Sequence, residues 1–295
     1  MRRIRFAFRS LAKAPLLSVV VVLSLGLGIG INTAIFSLLH QVVLSALPIP
    51  HPEQLVVLTS PGDLKSGSTS SNDSGGEDYI FNWRTLRELE KRSDAATVAR
   101  FHTFIGNIAY SRQTVNGSMM LVSGHYFPVV EVQPFAGRLI EPEDDISGGG
   151  NPVAVLDYRF WRDKLGSDTS VLNQTIKVNG QPFTIVGIAP PSFTGTTVGA
   201  EPSLFLPISF KPRLTPRWDG TDKLADYWVY LIARLKPGAT IPQAEASLNG
   251  PYRTIVEEMV ATIDKPIERS PRFRQQKLSL KDGAKGNSGF RDQFG

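Results

Sequence analysis

The pattern of hydrophobic positions divides the chain into an apolar start and a long mixed remainder. Leu16–Leu39 reads LLSVVVVLSLGLGIGINTAIFSLL, and no charged residue lies between Lys13 and Glu53. About 20 apolar residues, each rising roughly 1.5 Å along a helix, span the hydrocarbon core of a membrane. The pattern therefore predicts one transmembrane helix with an extension over 15–47, because no second apolar run of about 18 residues follows it.

Small residues recur at every fourth position within this predicted helix. Gly26, Gly30 and Ala34 have the spacing that lets another transmembrane helix approach closely. Asn32 is predicted to hydrogen-bond across the same contact. The alternative interpretation is that glycine is simply frequent in membrane helices. We predict helix packing through these four residues, because the small residues and the amide both favour contact with another helix.

The first 14 residues form a basic, amphipathic segment. Ile4, Phe8 and Leu11 share one helical face, which suits a membrane surface. The bases attract anionic lipids, and the positive-inside rule predicts a cytoplasmic N-terminus with the chain beyond Leu39 outside. A cleaved signal peptide also begins this way, but its apolar core spans only about 7–15 residues, so we expect an uncleaved anchor. The residues predicted to set this orientation are Arg2, Arg3, Arg5, Arg9 and Lys13.

The remainder alternates between strand-like and helix-like patterns. Helical spacing predicts a helix at Asp78–Ser93 with Asp78 as its N-cap, and another at Pro242–Ile263 with proline in its first turn. Asn179-Gly180 between two apolar runs predicts a β-hairpin. The sequence SGHYF predicts a turn. Strands are predicted at Leu55–Ser60, Ala96–His102, Ile105–Ser111, Gln113–Val122, Val153–Leu156, Tyr227–Leu235 and Arg272–Gly283, with a short helix at Tyr158–Leu165.

Charge and motifs argue against catalysis and against nucleic-acid binding. Five of the 32 Lys and Arg residues lie in the first 13 positions, which leaves 27 bases against 27 acids in the rest. A folded nucleic-acid-binding domain would need a basic surface. The chain has no cysteine, no phosphate-binding loop, no Gly-x-Ser-x-Gly elbow and no His-Glu-x-x-His. The acidic run EPEDD (Glu141–Asp145) lacks the ligand spacing of a calcium loop, so we expect a solvated turn or helix start. We predict no enzyme activity, no cofactor and no metal site.

A series of strings along the chain resembles one family of membrane proteins. In order they are LGLGIGINTAIFSLLHQVVLSALPIPHPEQLVVL, VSGHYF, VQPFAGR, EPEDD, PVAVLDYRFWRDKLG, TIKVNGQPFTIVGIAPPSFTG, LFLPI and ARLKPGAT. Together they are similar to MacB/FtsX-type permeases of ATP-binding-cassette (ABC) systems, including the duplicated permeases of acidobacteria. The resemblance covers nearly all of the chain. Glu131 and Asn173 stand where the family pattern would have glycine, which concerns the local turns.

The resemblance implies a fold and a mode of action. It implies an α+β protein in which one N-terminal transmembrane helix precedes a mixed α/β extracytoplasmic core domain at 52–288. The membrane-proximal part would comprise about 52–135 and 225–288, and an inserted β-rich part about 136–224. A separate cytoplasmic ATP-binding subunit would drive conformational change, and other permease helices or a second permease copy would complete the membrane bundle. The implied location is the bacterial inner membrane, with the main domain in the periplasm.

Two other functional interpretations remain open at this level. The chain ends at KGNSGFRDQFG, where the family would begin its next transmembrane helix, so we expect a fragment of a longer permease or a truncated gene product. The first alternative is a single-pass envelope protein that binds a partner and transports nothing. The second is a membrane-tethered hydrolase, against which the missing catalytic motifs weigh.

Overall fold

A computed structural model describes most of the chain. The described residues are 15–39, 46–62, 65–71, 76–85, 89, 94–146, 148, 150–218, 220–221, 223–263, 265 and 270–287. The chain divides into two compact units, residues 1–45 and residues 46–295. The predicted cytoplasmic segment 1–14 lies outside the described residues.

The first unit contains one helix, α1 (Pro15–Leu39), of 25 residues. Proline fits the first turn of a helix, because the N–H that it lacks would have no partner there. The large apolar side chains described on this helix are exposed, with Leu16 at 83%, Val21 at 43% and Phe36 at 67%. Among the helices of the described part of the chain, none is long and apolar enough to cross a membrane.

The second unit is built on one mixed sheet of 11 strands. Its main path runs β11-β1-β10-β3-β4-β9-β6-β8-β5, while β2 pairs with β10 and β7 pairs with β3 and β8. The pairs β4–β9 and β6–β8 are parallel, and the other pairs are antiparallel. The strands are β1 (Leu55–Thr59), β2 (Ile80–Asn82), β3 (Ala96–Tyr110), β4 (Gln113–Val122), β5 (Ala136–Gly137), β6 (Val153–Leu156), β7 (Thr175–Val178), β8 (Gln181–Ile188), β9 (Leu204–Pro207), β10 (Tyr227–Leu235) and β11 (Ser279–Asp282).

Short helices cover this sheet together with one long helix. The helices of the second unit are α2 (Tyr126–Val130), α3 (Tyr158–Lys164), α4 (Lys211–Leu214), α5 (Ile241–Thr262) and α6 (Pro271–Arg274). Because β5–β9 join the same sheet as the other strands, residues 46–295 pack as one unit around one apolar core. The mixed α/β class is confirmed, whereas the boundaries near residues 135 and 225 stay a prediction.

α5 confirms the predicted helix at Pro242–Ile263. Thr240 Oγ1 accepts from Gln243 N, and the Gln243 side chain accepts from Thr240 N, which forms a capping box at the start. The buried side chains follow helical spacing, so one apolar stripe faces the sheet. This stripe consists of Ala244, Leu248, Tyr252, Ile255, Val256 and Met259.

The predicted helix at Asp78–Ser93 is wrong in its first part. Glu77–Tyr79 is a single 3-10 turn, and β2 follows directly. Asp78 is no N-cap, since its carboxylate accepts from Gly62 N at 3.3 Å. Phe81 lies opposite Val229 of β10, so the pairing of β2 with the buried central strand outweighs the helical spacing.

Three other predicted elements differ from the structure. The two strands at Ala96–His102 and Ile105–Ser111 are one 15-residue strand, β3, because β10 pairs with its first half and β4 and β7 with its second. The segment predicted as a strand at Arg272–Gly283 begins in α6 and becomes β11 only at Ser279. The SGHYF turn leads straight into α2 at Tyr126.

Local turn signals predicted the remaining elements well. The Asn179-Gly180 hairpin forms, with φ of 48° and 83° at its two central residues. Glu131 and Asn173 have φ of 57° and 65°, so both occupy the left-handed conformation that glycine prefers. Both turns therefore form as the family pattern predicts. Because the residues there are not glycine, their positive φ angles cost backbone strain.

Candidate functional site

The predicted packing residues of α1 fall on two faces of the helix. At about 100° per residue, Gly26, Gly30 and Ala34 lie within roughly 80° of each other. A Cβ atom added to either glycine would meet nothing within 4 Å, so this face is open. Asn32 lies about 200° from Gly30 and therefore cannot join the same contact, which corrects that assignment. Thr33 lies beside Gly26 instead, and its hydroxyl donates to Ile29 O at 2.8 Å.

The predicted orientation residues Arg2, Arg3, Arg5, Arg9 and Lys13 lie outside the described residues. Their role in setting the membrane orientation stays a prediction. The same holds for helix packing through Gly26, Gly30 and Ala34, because a single chain contains no partner helix.

In the second unit, the segment at its start is hydrogen-bonded to the segment at its end. Leu47 N donates to Ala284 O at 2.7 Å, and Gly283 N donates to Leu55 O at 2.9 Å. Asn287 N donates to Thr196 O at 2.7 Å, which joins residues 283–287 to a third segment. We call residues 46–55 and 283–287 together the junction. Main-chain hydrogen bonds therefore hold the two segments of the junction together.

Arg234 of β10 hydrogen-bonds residues 46–55 of the junction to the sheet. Its side chain is 7% exposed. It donates to Pro50 O and His51 O, both at 3.0 Å, and to Val129 O at 2.5 Å. Glu131 Oε2 lies 3.4 Å from the guanidinium, at the rim of this cluster. Burial lowers the pKa of Arg234, and Glu131 opposes that shift. One guanidinium thus donates to three carbonyls from two segments.

A second buried cluster joins the segment 136–224 to β3 and β10. Trp83 stacks on Trp228, with ring centroids 5.6 Å apart and 10° between the planes. The Arg100 guanidinium lies 4.2 Å from the Trp83 centroid, and Lys211 Nζ lies 4.6 Å from that of Trp228. Trp228 Nε1 donates to Gly220 O at 2.8 Å. We call this group the seam; its cations lie against indole faces, where their attraction to the rings offsets part of the cost of burial.

Two of the four carboxylates of EPEDD, those of Asp144 and Asp145, are buried, whereas Glu141 and Glu143 are exposed as expected for a solvated turn. Asp145 is buried, and its Oδ2 lies 3.4 Å from Arg100 of the seam. Burial raises the pKa of Asp145, and the Arg100 charge opposes this. Asp144 is also buried. Although burial alone would raise the pKa of Asp144, hydrogen bonds from Arg138 and from Glu141 N hold it below its usual range. The helix start at Pro142–Asp144 is confirmed.

His102 is the buried titratable base of the seam. Its Nδ1–H donates to Trp228 O at 2.8 Å, and its ring meets Trp228 edge to face. Burial, together with the charge of Lys211, lowers the pKa of His102 to about 3. His102 is therefore neutral in the folded protein at every pH near neutrality, although it charges at about pH 6.5 when the chain unfolds.

This difference predicts an acid-dependent loss of stability. Below about pH 6.5 the unfolded chain binds a proton that the folded chain excludes, so stability falls as the pH falls towards 3. Between pH 6.5 and pH 5 the His102 contribution should decrease by about 2 kcal/mol. His102→Asn keeps a donor for Trp228 O without a titrating ring. We expect urea unfolding curves of the variant to lose less stability over this range than wild type; equal losses would contradict a neutral buried His102.

No group of three or more His, Asp and Glu side chains lies close enough to hold a metal ion in the part of the chain that the structure describes. His51 lies in the junction, where its backbone carbonyl accepts from the Arg234 guanidinium, and His102 lies in the seam, where its ring donates to a backbone carbonyl. The buried charges form packing contacts between segments, which suits a body that transmits movement.

Sequence reasoning missed the residues that organise both clusters. Arg234 interrupts the apolar run YWVYLIARL, and Arg100 interrupts ATVARF. A lone cation within a strand that is otherwise buried signals a buried partner, because an uncompensated charge in a core is costly. The oxygen partners themselves, such as Asp145 for Arg100 and Pro50 for Arg234, lie more than 40 residues away and could not be read from that signal.

The sequence and the fold of this chain are similar to those of known proteins. The family model of the MacB-like periplasmic core domain matches residues 18–250. No curated protein sequence matches the chain. The solved periplasmic region of MacB from Actinobacillus actinomycetemcomitans is 16% identical with a TM-score of 0.52, covering 83% of this chain and 92% of that one.

Two further solved structures are similar. A domain of a protein assigned as a permease from Porphyromonas gingivalis is 14% identical with a TM-score of 0.50, covering 83% of this chain and 97% of that one. The extracellular domain of the noncanonic ABC-type transporter YknZ from Gram-positive bacteria is 13% identical with a TM-score of 0.49, covering 77% and 99% respectively. At these low identities, the MacB structure and the Porphyromonas gingivalis structure establish similarity of fold.

Proposed function

This chain belongs to the MacB-like periplasmic core domain family, a domain of ABC-type transporter permeases, and on that premise we propose that it works as a mechanical permease component. In this proposal a separate cytoplasmic ATPase drives closing movements, the membrane helices carry them, and residues 46–287 convert them into export or other work outside the membrane. The chain itself catalyses no reaction.

The junction is the observation that carries this proposal. The segment that follows the predicted transmembrane helix and the segment at 283–287 are hydrogen-bonded to each other. Arg234 binds the first of them to the fully buried central strand β10. A displacement of residues 46–55 would therefore reach β10 and residues 283–287 through hydrogen bonds.

The membrane location is also part of the proposal. It is supported by the uncharged run between Lys13 and Glu53 and by the five bases that precede it. We propose that α1 lies in the bacterial inner membrane, with the N-terminus in the cytoplasm and residues 46–287 in the periplasm. Membrane lipids are then its immediate surroundings.

The open face of α1 gives a matched test of assembly. The double change Gly26→Leu and Gly30→Leu fills the small-residue face, so close packing of a partner helix should be lost. Gly28→Leu and Asn32→Leu have the same spacing on the opposite face and serve as the control. We expect mass spectrometry of tagged protein, solubilised from native membranes, to recover multi-span permease chains and a P-loop ATPase with wild type and control. Recovery should fall at least tenfold with the first pair.

Two results would count against the proposal in different ways. Equal recovery from both double variants would show that the Gly26–Gly30 face is not the contact. If wild type itself brings down neither a P-loop ATPase nor a multi-span permease, the link to a transport system is wrong. A single-pass envelope protein that binds a partner outside the membrane would then be the better interpretation.

A further inference from the structure

One stretch of sheet edge has no neighbouring strand in the described part of the chain. β3 pairs with all of β4, whereas the parallel neighbour β9 pairs only with Met119–Val122. The other side of Gln113–Gly117 has no strand beside it among the described residues. This stretch is next to the tight β3–β4 turn, and most of its side chains are half-buried or exposed.

The register shows which backbone groups point out of this edge. Tyr110 lies opposite Gln113 across the two-residue turn, so that pair and every second pair after it exchange hydrogen bonds with β3. The N–H and C=O groups of Thr114 and Asn116 therefore point away from β3. Ser118 has the same parity, and its carbonyl accepts from Ser203 N at 2.7 Å on the outer side.

At the opposite end of the sheet, side chains bond to the outward backbone groups of the edge strand and so prevent another strand from pairing with it. At β11, Asn249 of α5 bonds to both N and O of Leu278, at 2.9 and 3.0 Å, and Glu245 accepts from Leu280 N at 3.0 Å. These side chains occupy groups that another strand would use. The sequence of Gln113–Gly117 is QTVNG, with no charge and no proline to discourage pairing.

A groove of about 220 Å³ adjoins the open edge. Tyr110 and Val115 line it from the hairpin, and Phe160, Lys164 and Leu165 line it from α3 and its C-terminal end. Tyr110, Val115, Phe160 and Leu165 are partly buried against the core, and Ile108, which also lines the groove, is fully buried. Lys164 is the one charged residue among the lining residues, and it is exposed to solvent.

We propose that this groove binds an extended peptide segment of a partner protein by strand addition. The peptide backbone pairs with the outward groups of Thr114 and Asn116, and alternate side chains enter the space between the hairpin and α3. Apolar side chains meet Val115 and Phe160, and a carboxylate meets Lys164. The inference goes beyond the proposed transport role and does not depend on the ATPase link.

The test uses the full chain in detergent and a peptide of matching pattern. The probe is fluorescein-Val-Thr-Val-Thr-Glu-amide, whose valines and glutamate would face the groove while its threonine N–H groups face β4. We expect saturable binding by fluorescence anisotropy, with slower hydrogen exchange at Gln113–Gly117. A peptide with lysine in place of glutamate should bind at least fivefold more weakly. A peptide N-methylated at both threonines should bind at least tenfold more weakly.

Variants of the edge make the proposal specific. Asn116→Pro removes an outward N–H but no hydrogen bond to β3, so it should weaken binding at least tenfold while circular dichroism and the unfolding midpoint stay near wild type. Asn116→Ala keeps the N–H and should bind within twofold of wild type. Lys164→Met should weaken the glutamate peptide at least fivefold and leave its glutamine counterpart unchanged.

Several results would overturn the proposal. Absence of binding up to the solubility limit of the peptide would do so, as would undiminished binding by folded Asn116→Pro, or protection from exchange at another surface. Self-association that Asn116→Pro abolishes, without peptide binding, would assign the edge to a second copy of this chain instead. None of these results bears on the recovery of an ATPase, so the two proposals fail separately.

Discussion

Replacing Arg234 by methionine is expected to lower the free energy of unfolding of residues 46–287 by about 3–5 kcal/mol. The change removes the guanidinium that donates to Pro50 O, His51 O and Val129 O, of which His51 O also accepts from Gln54 N at 3.0 Å. A buried carbonyl left without a donor costs about 1–3 kcal/mol, and methionine fills a similar volume, so lost hydrogen bonds rather than a cavity would dominate.

The measurement is urea unfolding of wild type and variants, followed by tryptophan fluorescence. Arg253→Met removes an exposed guanidinium from α5 and is the matched control, for which we expect a change within about 0.5 kcal/mol. Arg234→Lys should fall between the two, since an ammonium donates without the planar fork that reaches several carbonyls. If Arg234→Met and Arg253→Met had equal effects, the junction would not depend on Arg234.

Gly220→Ala is the second change with a large expected effect, of about 3 kcal/mol. Gly220 has φ of +65°, and an added Cβ would lie 2.5 Å from Trp228 Nε1 and 2.7 Å from its Cδ1. The methyl group would push Trp228 away from Trp83 and from its hydrogen bond to Gly220 O. The seam should therefore loosen, with red-shifted tryptophan emission in the folded state.

Gly180→Ala separates the two causes of this loss. Gly180 has φ of +83°, but an added Cβ there would meet nothing within 4 Å. It carries the conformational strain alone, for which we expect about 1–2 kcal/mol and no change in tryptophan emission. Urea unfolding and emission spectra of the two variants check the difference. Equal losses in both would mean that contact with Trp228 contributes nothing at Gly220.

Elements set by local chemistry could be predicted from the sequence. α5 begins with a capping box at Thr240 and carries an apolar stripe at helical spacing. The Asn179-Gly180 turn fixes its hairpin through two residues that tolerate positive φ. In both cases the determining contacts lie within a few residues of each other, so the sequence pattern contains the whole signal.

Elements set by distant partners could not be predicted in this way. Ile80, Trp83 and Leu89 have helical spacing, yet the chain at Ile80–Asn82 is a strand because β10 supplies its partner more than 140 residues later. The error at Asn32 has a different cause. The rotation of about 100° per residue in a helix already places Asn32 on another face from Gly26 and Gly30, so the sequence alone was sufficient to detect it. The family resemblance carried the overall fold, which periodicity alone left as mixed α/β.

The candidate site shows the same division. The apolar helix and its bases are visible in the sequence, but the buried clusters at Arg234 and Arg100 depend on segments that meet only in the folded chain. The only sequence signal for them was a cation within an apolar strand.

Membrane topology tests the central claim most directly, and the absence of native cysteine makes the measurement clean. Ser10→Cys and Gln174→Cys each introduce one thiol, the second at an exposed position. We expect both proteins in carbonate-resistant membranes. In spheroplasts, an impermeant maleimide should label Gln174→Cys, whereas Ser10→Cys should react only after lysis. Labelling of Ser10→Cys in intact spheroplasts, or a soluble protein that lacks its first forty or so residues, would contradict the account.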